Sequence, residues 1–229
     1  MSKSNKIIHN GGINVSNVIR FNLYNRGKKD MSIEKIVSSL KKKNKDGYVY
    51  SIEDIKKIAT DILDNIGYYS SRGATPIVKI ASEFEFKTYK ETLKDGRSGD
   101  IHINGDTKEK YNHDKIILVN KNDEYFHQRF VVAHELAHYL FEFLGNPEYQ
   151  NVNKAFTDTY CKDHHEKEEE KRANIFAAEI MMPEKLFVQQ YNIASKENNN
   201  RMFIVMYLSR FFETSIESIE KRLTEVSNK

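Results

Sequence analysis

His134-Glu135-Leu136-Ala137-His138 places two imidazoles four residues apart inside an apolar run with helical period. On a helix that spacing puts both rings on one face, about 6 Å apart along the axis. Two neutral imidazoles so placed can converge on one Zn²⁺, each at about 2.0–2.1 Å. Glu135 is angled away from the ligand line, where it can take a proton from an attacking water rather than bind metal. Zinc brings the pKa of such a water to about 7, so a neighbouring carboxylate completes the deprotonation at neutral pH. Phe130, Val131, Val132, Ala133, Leu136, Ala137, Leu140 and Phe141 surround the motif and mark the helix as largely buried. Two histidines and a glutamate are costly in such a place unless something satisfies them. The competing reading is a pair of hydrogen-bonded core histidines.

A catalytic zinc needs a third protein ligand and an open position. One class of such sites supplies a histidine six residues after the second, with a glycine between, but those positions here are Leu144 and Phe141. The remaining option is a carboxylate from a later helix. Residues 167–182 read as a helix whose inward stripe is Ala173, Phe176, Ala177 and Ile180. Counting back along that stripe reaches Glu170, whereas Glu168 and Glu169 point more to solvent and Glu166 lies nearer the helix end. Glu170 is therefore the expected third ligand, against the plainer reading of an acidic run at a solvated helix end. Asn174, one turn on, is placed to hold a ligand imidazole by hydrogen bond. Cys161, His164 and His165 form a rival cluster that reads more naturally as water-facing. His127 and Arg129 precede the motif on the same helix, and His127 is a candidate substrate or oxyanion group or an ordinary surface position.

Several elements must position these residues. Ser32 precedes Ile33, Ile36, Val37 and Leu40 on one helical face, and Ser51 to Asp54 resembles a capping box before Ile55, Ile58, Ala59, Ile62 and Ile66, with Gly67 as the stop. Thr75-Pro76 predicts an N-cap followed by proline at the first helical position, opening a helix to about Glu83. Phe84, Phe86 and Thr88 alternate with charged residues as a half-buried strand would, Asp100–Ile103 reads as a second strand before the Asn104-Gly105 turn, and Lys115–Val119 as a third. Asp123 is expected to cap a long helix from about Glu124 to Leu144, closed by Gly145. From Glu166 onward the pattern is helical, broken by Pro183 and by the polar run 196–200. Helices, a small sheet, then helices define an α+β fold.

Bulk properties exclude some classes. The 229 residues fit one domain of ordinary size, with or without a small appendage. A net charge of +3 does not announce nucleic acid, although residues 1–50 carry eleven Lys/Arg against three Asp/Glu. That basic start reads as a solvated arm, with an anionic-partner site as the other possibility. One cysteine forbids an internal disulfide and permits a reducing compartment. No apolar run approaches the roughly 18 residues of a membrane span, and the first residues lack a secretory apolar stretch. A cytoplasmic protein without membrane partners is expected.

Two blocks, 128–140 (QRFVVAHELAHYL) and 170–183 (EKRANIFAAEIMMP), resemble the signature segments of the ImmA/IrrE metallopeptidases. The Pro76 helix, Gly99 before a strand, Ile116–Asn120 leading into the histidine helix, and Leu208–Ser215 with Arg222-Leu223 are similar to the family in order. The resemblance covers roughly residues 50–225. It implies a zincin-like fold with a small mixed sheet, an active-site helix and a helical C-terminal segment. It also implies His134, His138 and Glu170 on zinc, Glu135 as catalytic base, and a protein substrate that is a helix-turn-helix transcriptional repressor of a phage, mobile element or stress regulon. The chain then divides into a flexible basic arm (1–30), a metallopeptidase domain (31–195) and a helical segment packed on it (196–229). Glu135 would take the water's proton and carry it to the leaving amine, while the strand at Ile116–Val119 would pair with an extended substrate backbone. A second oxyanion donor is expected, and thirteen tyrosines do not single one out.

Two other functions compete. A metal-binding but non-hydrolytic antirepressor or toxin–antitoxin partner would keep the site without the chemistry. A DNA-binding module would use residues 203–223 as a helix-turn-helix, but Arg210, Lys221 and Arg222 are matched there by Glu213, Glu217 and Glu220, so the segment has no basic excess and phosphate attraction is poor.

Overall fold

Two serine caps open the first helices. In the computed structural model, which describes residues 32–68, 73–94, 96–104, 107–147, 156–161 and 167–227, Ser32 Oγ accepts from Lys35 N at 3.4 Å and starts α1 (Ile33–Lys45). Ser51 and Asp54 form the reciprocal capping box that starts α2 (Ile52–Asn65), each side chain accepting from the other's backbone N–H at 3.1 Å. Helix α3 (Ile77–Glu83) departs from expectation at its start: Pro76 is the N-cap and Thr75 caps nothing. Thr75 is buried and its hydroxyl donates to Ile180 O at 2.8 Å, so it ties the start of α3 to a later helix.

The four-stranded sheet has the order β1-β3-β2-β4. Its strands are β1 (Lys87–Glu91), β2 (Arg97–Ile103), β3 (Lys115–Asn120) and β4 (Phe156–Cys161). Strand β1 runs parallel to β3 (Tyr89 opposite Leu118), and β2 lies antiparallel to β3 (Ile101 opposite Ile117) and to β4 (Ile101 opposite Asp158). The first strand begins later than Phe84 because Glu85 is left-handed at φ 69°. Phe84 and Phe86 are buried all the same, at the turn leading into β1. Strand β3 is interior, which explains its continuous buried run Ile116–Val119. That position removes it as a substrate-pairing strand, since both its edges are already bonded; the sheet's edges are β1 and β4. Neither β4 nor the short helix α4 (Thr107–Tyr111) was expected. The polar, Thr-rich sequence of β4 and the five residues of α4 give too little periodic signal.

Helix α5 (Tyr125–His138) packs across β2 and β3 and continues as a π-helical turn over Tyr139–Phe143. Glu124, not Asp123, is its N-cap, and no side chain caps it there. Gln128 holds this end in another way: its buried amide donates to Asn120 O at 3.1 Å and Asp123 O at 2.8 Å, pinning the β3–α5 connection. At the other end Asn44 of α1 donates to Leu140 O and Leu144 O at 2.9 and 2.7 Å, satisfying carbonyls the helix leaves open. Gly145 then turns the chain at φ 83°, so close to α1 that a Cβ would lie 2.6 Å from Lys41 Cα.

The remaining helices are α6 (Glu168–Met181), α7 (Glu184–Glu197), α8 (Arg201–Phe212) and α9 (Ile216–Ser227). One core cluster runs from Ile36 of α1 through α5 and α6 to Leu223 of α9. Arg222 is buried against it, paired with Glu179 and donating to Met182 O at 2.9 Å. Glu179 also accepts from Glu184 N at 3.0 Å, so α9 locks the α6–α7 junction. One of the three basic residues of the helix-turn-helix reading is thereby spent on packing. Replacing Arg222 by Met should leave Glu179 buried without its cation and cost about 3–5 kcal/mol, measured by urea denaturation.

Candidate metal centre

Helix α5 presents its histidines to α6 rather than to the sheet. Ala133 and Ala137 on α5, and Ala173 and Ala177 on α6, are all buried in the core. Small side chains on both helices allow the close approach that lets residues from the two meet. At that contact the Nε2 atoms of His134 and His138 lie 3.0 Å apart. Glu170 closes the group from α6, with Oε2 3.2 Å from His134 Nε2 and Oε1 3.5 Å from His138 Nε2. Both imidazoles are shut off from solvent and Glu170 is 9% exposed. The histidines and glutamate named from the sequence are thus brought together, with their possible ligand atoms within 4.8 Å of one another.

The outer nitrogens fix which way the rings are protonated. His134 Nδ1 meets Asn174 Oδ1 at 3.1 Å, as expected from the position of Asn174 one turn beyond Glu170. His138 Nδ1 meets Glu142 Oε2 at 3.1 Å. An ionised Glu142, paired with Arg172, only accepts, which would put the hydrogen of His138 on Nδ1 and turn its Nε2 lone pair inward. With Asn174 presenting its oxygen, the same holds for His134. Burial pushes His134 below the usual imidazole range and so favours the neutral ring, while its contact with Glu170 pulls the other way. In that tautomer two imidazole lone pairs and a carboxylate face one another in a buried space, a donor set suited to a cation.

The dimensions fit such a cation. Tetrahedral zinc at about 2.0–2.1 Å from its ligands needs donor–donor edges of about 3.3 Å. The two Nε2 atoms are 3.0 Å apart, and the nearest Glu170 oxygen to each lies at 3.2 Å (Oε2 to His134) and 3.5 Å (Oε1 to His138), all close to that value. The donor set of two neutral imidazoles and one carboxylate is also one that catalytic zinc uses.

Glu135 follows His134 directly, so it lies about 100° round α5 from it, fully buried and turned toward β2. Gly99 of β2 makes room for it: a Cβ there would sit 2.2 Å from Val131 Cγ1 and 3.0 Å from Glu135 Oε1. His127 is half-buried rather than a surface residue, with Nε2 3.0 Å from Ser98 Oγ. Arg129 donates to Thr75 O at 2.7 Å and pairs with Glu213 at 3.3 Å, a link between α5, the start of α3 and the α8–α9 turn. Cys161 ends β4, its backbone opposite Arg97, while His164 and His165 of the rival cluster lie outside the described residues.

The sequence reading missed Glu142 and Arg172. Arg172 of α6 donates to Glu142 Oε1 from Nε at 3.2 Å and from Nη2 at 3.0 Å. Burial raises Glu142 above the ordinary carboxylate value, opposed by its contacts with His138 and Arg172. The available signal was the four-residue step from His138 to Glu142, which keeps both on one helical face.

Fold and site together define an α+β, zincin-like domain with a two-histidine, one-carboxylate centre. The chain belongs to the IrrE N-terminal-like domain family of M78 peptidases, whose family model matches residues 84–224. That family is one of metallopeptidases. No curated protein matches the chain. Among the described residues no helix is long and apolar enough to cross a membrane.

Gly99 yields a direct test of how the sheet holds α5. Gly99→Ala should destabilise the fold by about 1–3 kcal/mol through overpacking. Adding Val131→Ala, which removes the nearest clashing atom, should recover part of that loss in denaturant unfolding.

Proposed function

We propose that this protein is a zinc-dependent endopeptidase that cleaves a regulatory protein, a helix-turn-helix transcriptional repressor. The observation that carries the hydrolytic reading is the inward-facing set of His134, His138 and Glu170 with Glu135 on the adjoining face of the same helix turn. The repressor substrate rests on the resemblance of the 128–140 and 170–183 blocks to the ImmA/IrrE peptidases.

In this reading His134, His138 and Glu170 hold the ion, and Asn174 and Glu142 fix the two rings with their Nε2 atoms inward. A bound zinc supplies Lewis acidity, which lowers the pKa of water and polarises a scissile carbonyl. Glu135 accepts the proton of the attacking water and delivers it to the departing amine. Among the described residues strand β4 is the edge of the sheet on the side that packs against α5, so its outer side takes the substrate-pairing role that interior β3 is unable to fill.

Purified protein incubated with a helix-turn-helix repressor that it recognises should yield discrete fragments by mass spectrometry, and a chelator should stop the reaction. Glu135→Gln should retain zinc and lower turnover by about 10²–10⁴-fold. Glu170→Ala should lose both metal and activity. Fragments that persist undiminished with Glu135→Gln would exclude the proposed base, and a biological effect that survives that change would make the protein a binding partner rather than a peptidase.

A further inference from the structure

Resting on the metal-site reading above, we propose that Glu142, held in place by Arg172, is a positioning residue that orients His138 and raises its affinity for the ion. The two histidines are supported unequally. His134 meets a neutral amide oxygen of Asn174, whereas His138 meets a carboxylate oxygen of Glu142, both at 3.1 Å. A carboxylate on the outer nitrogen makes the inner nitrogen a stronger donor than an amide does and holds the ring in one tautomer. Burial raises the energetic stake of that contact, since the Glu142 and His138 side chains are 16% and 3% exposed.

The geometry depends on the local backbone. The π-helical turn begins at Tyr139, immediately after His138, and contains Glu142. Within it Leu144 N bonds to Tyr139 O at 2.8 Å, a five-residue step in place of the usual four. Glu142 still returns to the His138 ring, and its second oxygen reaches across to Arg172. Arg172 lies two residues after Glu170 on α6, so this ion pair joins the helix bearing both histidines to the helix bearing the third ligand. The fork of Arg172 takes only Oε1, leaving Oε2 for the ring. One carboxylate therefore orients a ligand and fixes the spacing of the two helices.

A simple staple between helices makes a different prediction from a ligand-positioning group. Zinc dissociation constants should be measured by chelator competition on the full chain for wild type, Glu142→Ala, Glu142→Gln and Arg172→Met, with thermal midpoints of the metal-free proteins alongside. Glu142→Ala should weaken zinc about 10–100-fold, Glu142→Gln less, because it keeps an oxygen for Nδ1, and Arg172→Met least. Cobalt-substituted Glu142→Ala should also show a shifted visible spectrum. Equal losses for Glu142→Ala and Arg172→Met, in step with equal falls in the metal-free midpoints, would show a staple and overturn the proposal. So would affinities within twofold of wild type, which would leave the metal site itself standing. A wild-type chain that binds no zinc would overturn both.

Discussion

The His134 and His138 lone pairs and the Glu170 carboxylate are turned on one another within a helix–helix contact from which solvent is largely excluded. Polar groups buried in this way are costly unless donors or a cation satisfy them. Much of the surrounding architecture serves to keep that array assembled. Gln128 and Asn44 fix the two ends of the histidine helix. Thr75 and Arg222 anchor the C-terminal end of α6 and the junction after it. The apolar burial of Val131, Val132, Leu136 and Leu140, each side chain contributing about 1.5–3 kcal/mol, supplies the stability against which the polar centre is set.

The same helix serves two neighbours with different faces. Toward α6 it presents imidazoles, and toward β2 it presents Glu135 and Val131, where only the absent side chain of Gly99 gives clearance. Separating the candidate base from the ligands in this way lets each face be packed independently. Glu142 adds a third direction, since the π turn carries it round to the outer nitrogen of His138 and to Arg172.

Periodicity and capping made the helical part of this arrangement readable in advance. The Ser51–Asp54 box, the inward stripe of Ala173, Phe176 and Ala177, and the four-residue histidine spacing are local patterns, and the structure places Glu170 beside both histidines as the stripe indicated. Features that depend on distant partners were not readable. Thr75 looked like a cap because its local context is that of a cap, yet its hydroxyl is drawn to Ile180, 105 residues away. Strand β3 looked available for a substrate because its sequence does not show that β1 and β2 take its two edges. Glu142 was passed over although its four-residue step from His138 is a local signal, because the partner that ties it into the site, Arg172, lies on another helix 30 residues on. Strand order, edge availability and backbone irregularity arise from tertiary pairing, which leaves little trace in a single sequence.

The central claim is that His134, His138 and Glu170 form a metal centre, and zinc-edge X-ray absorption on the purified protein tests it most directly. The expected result is a first shell of nitrogen and oxygen only, at about 2.0–2.1 Å, with the outer-shell scattering of two imidazoles, lost on Glu170→Ala. A sulfur scatterer near 2.3 Å, which would draw the ion to Cys161, or a shell without imidazole, would contradict the account.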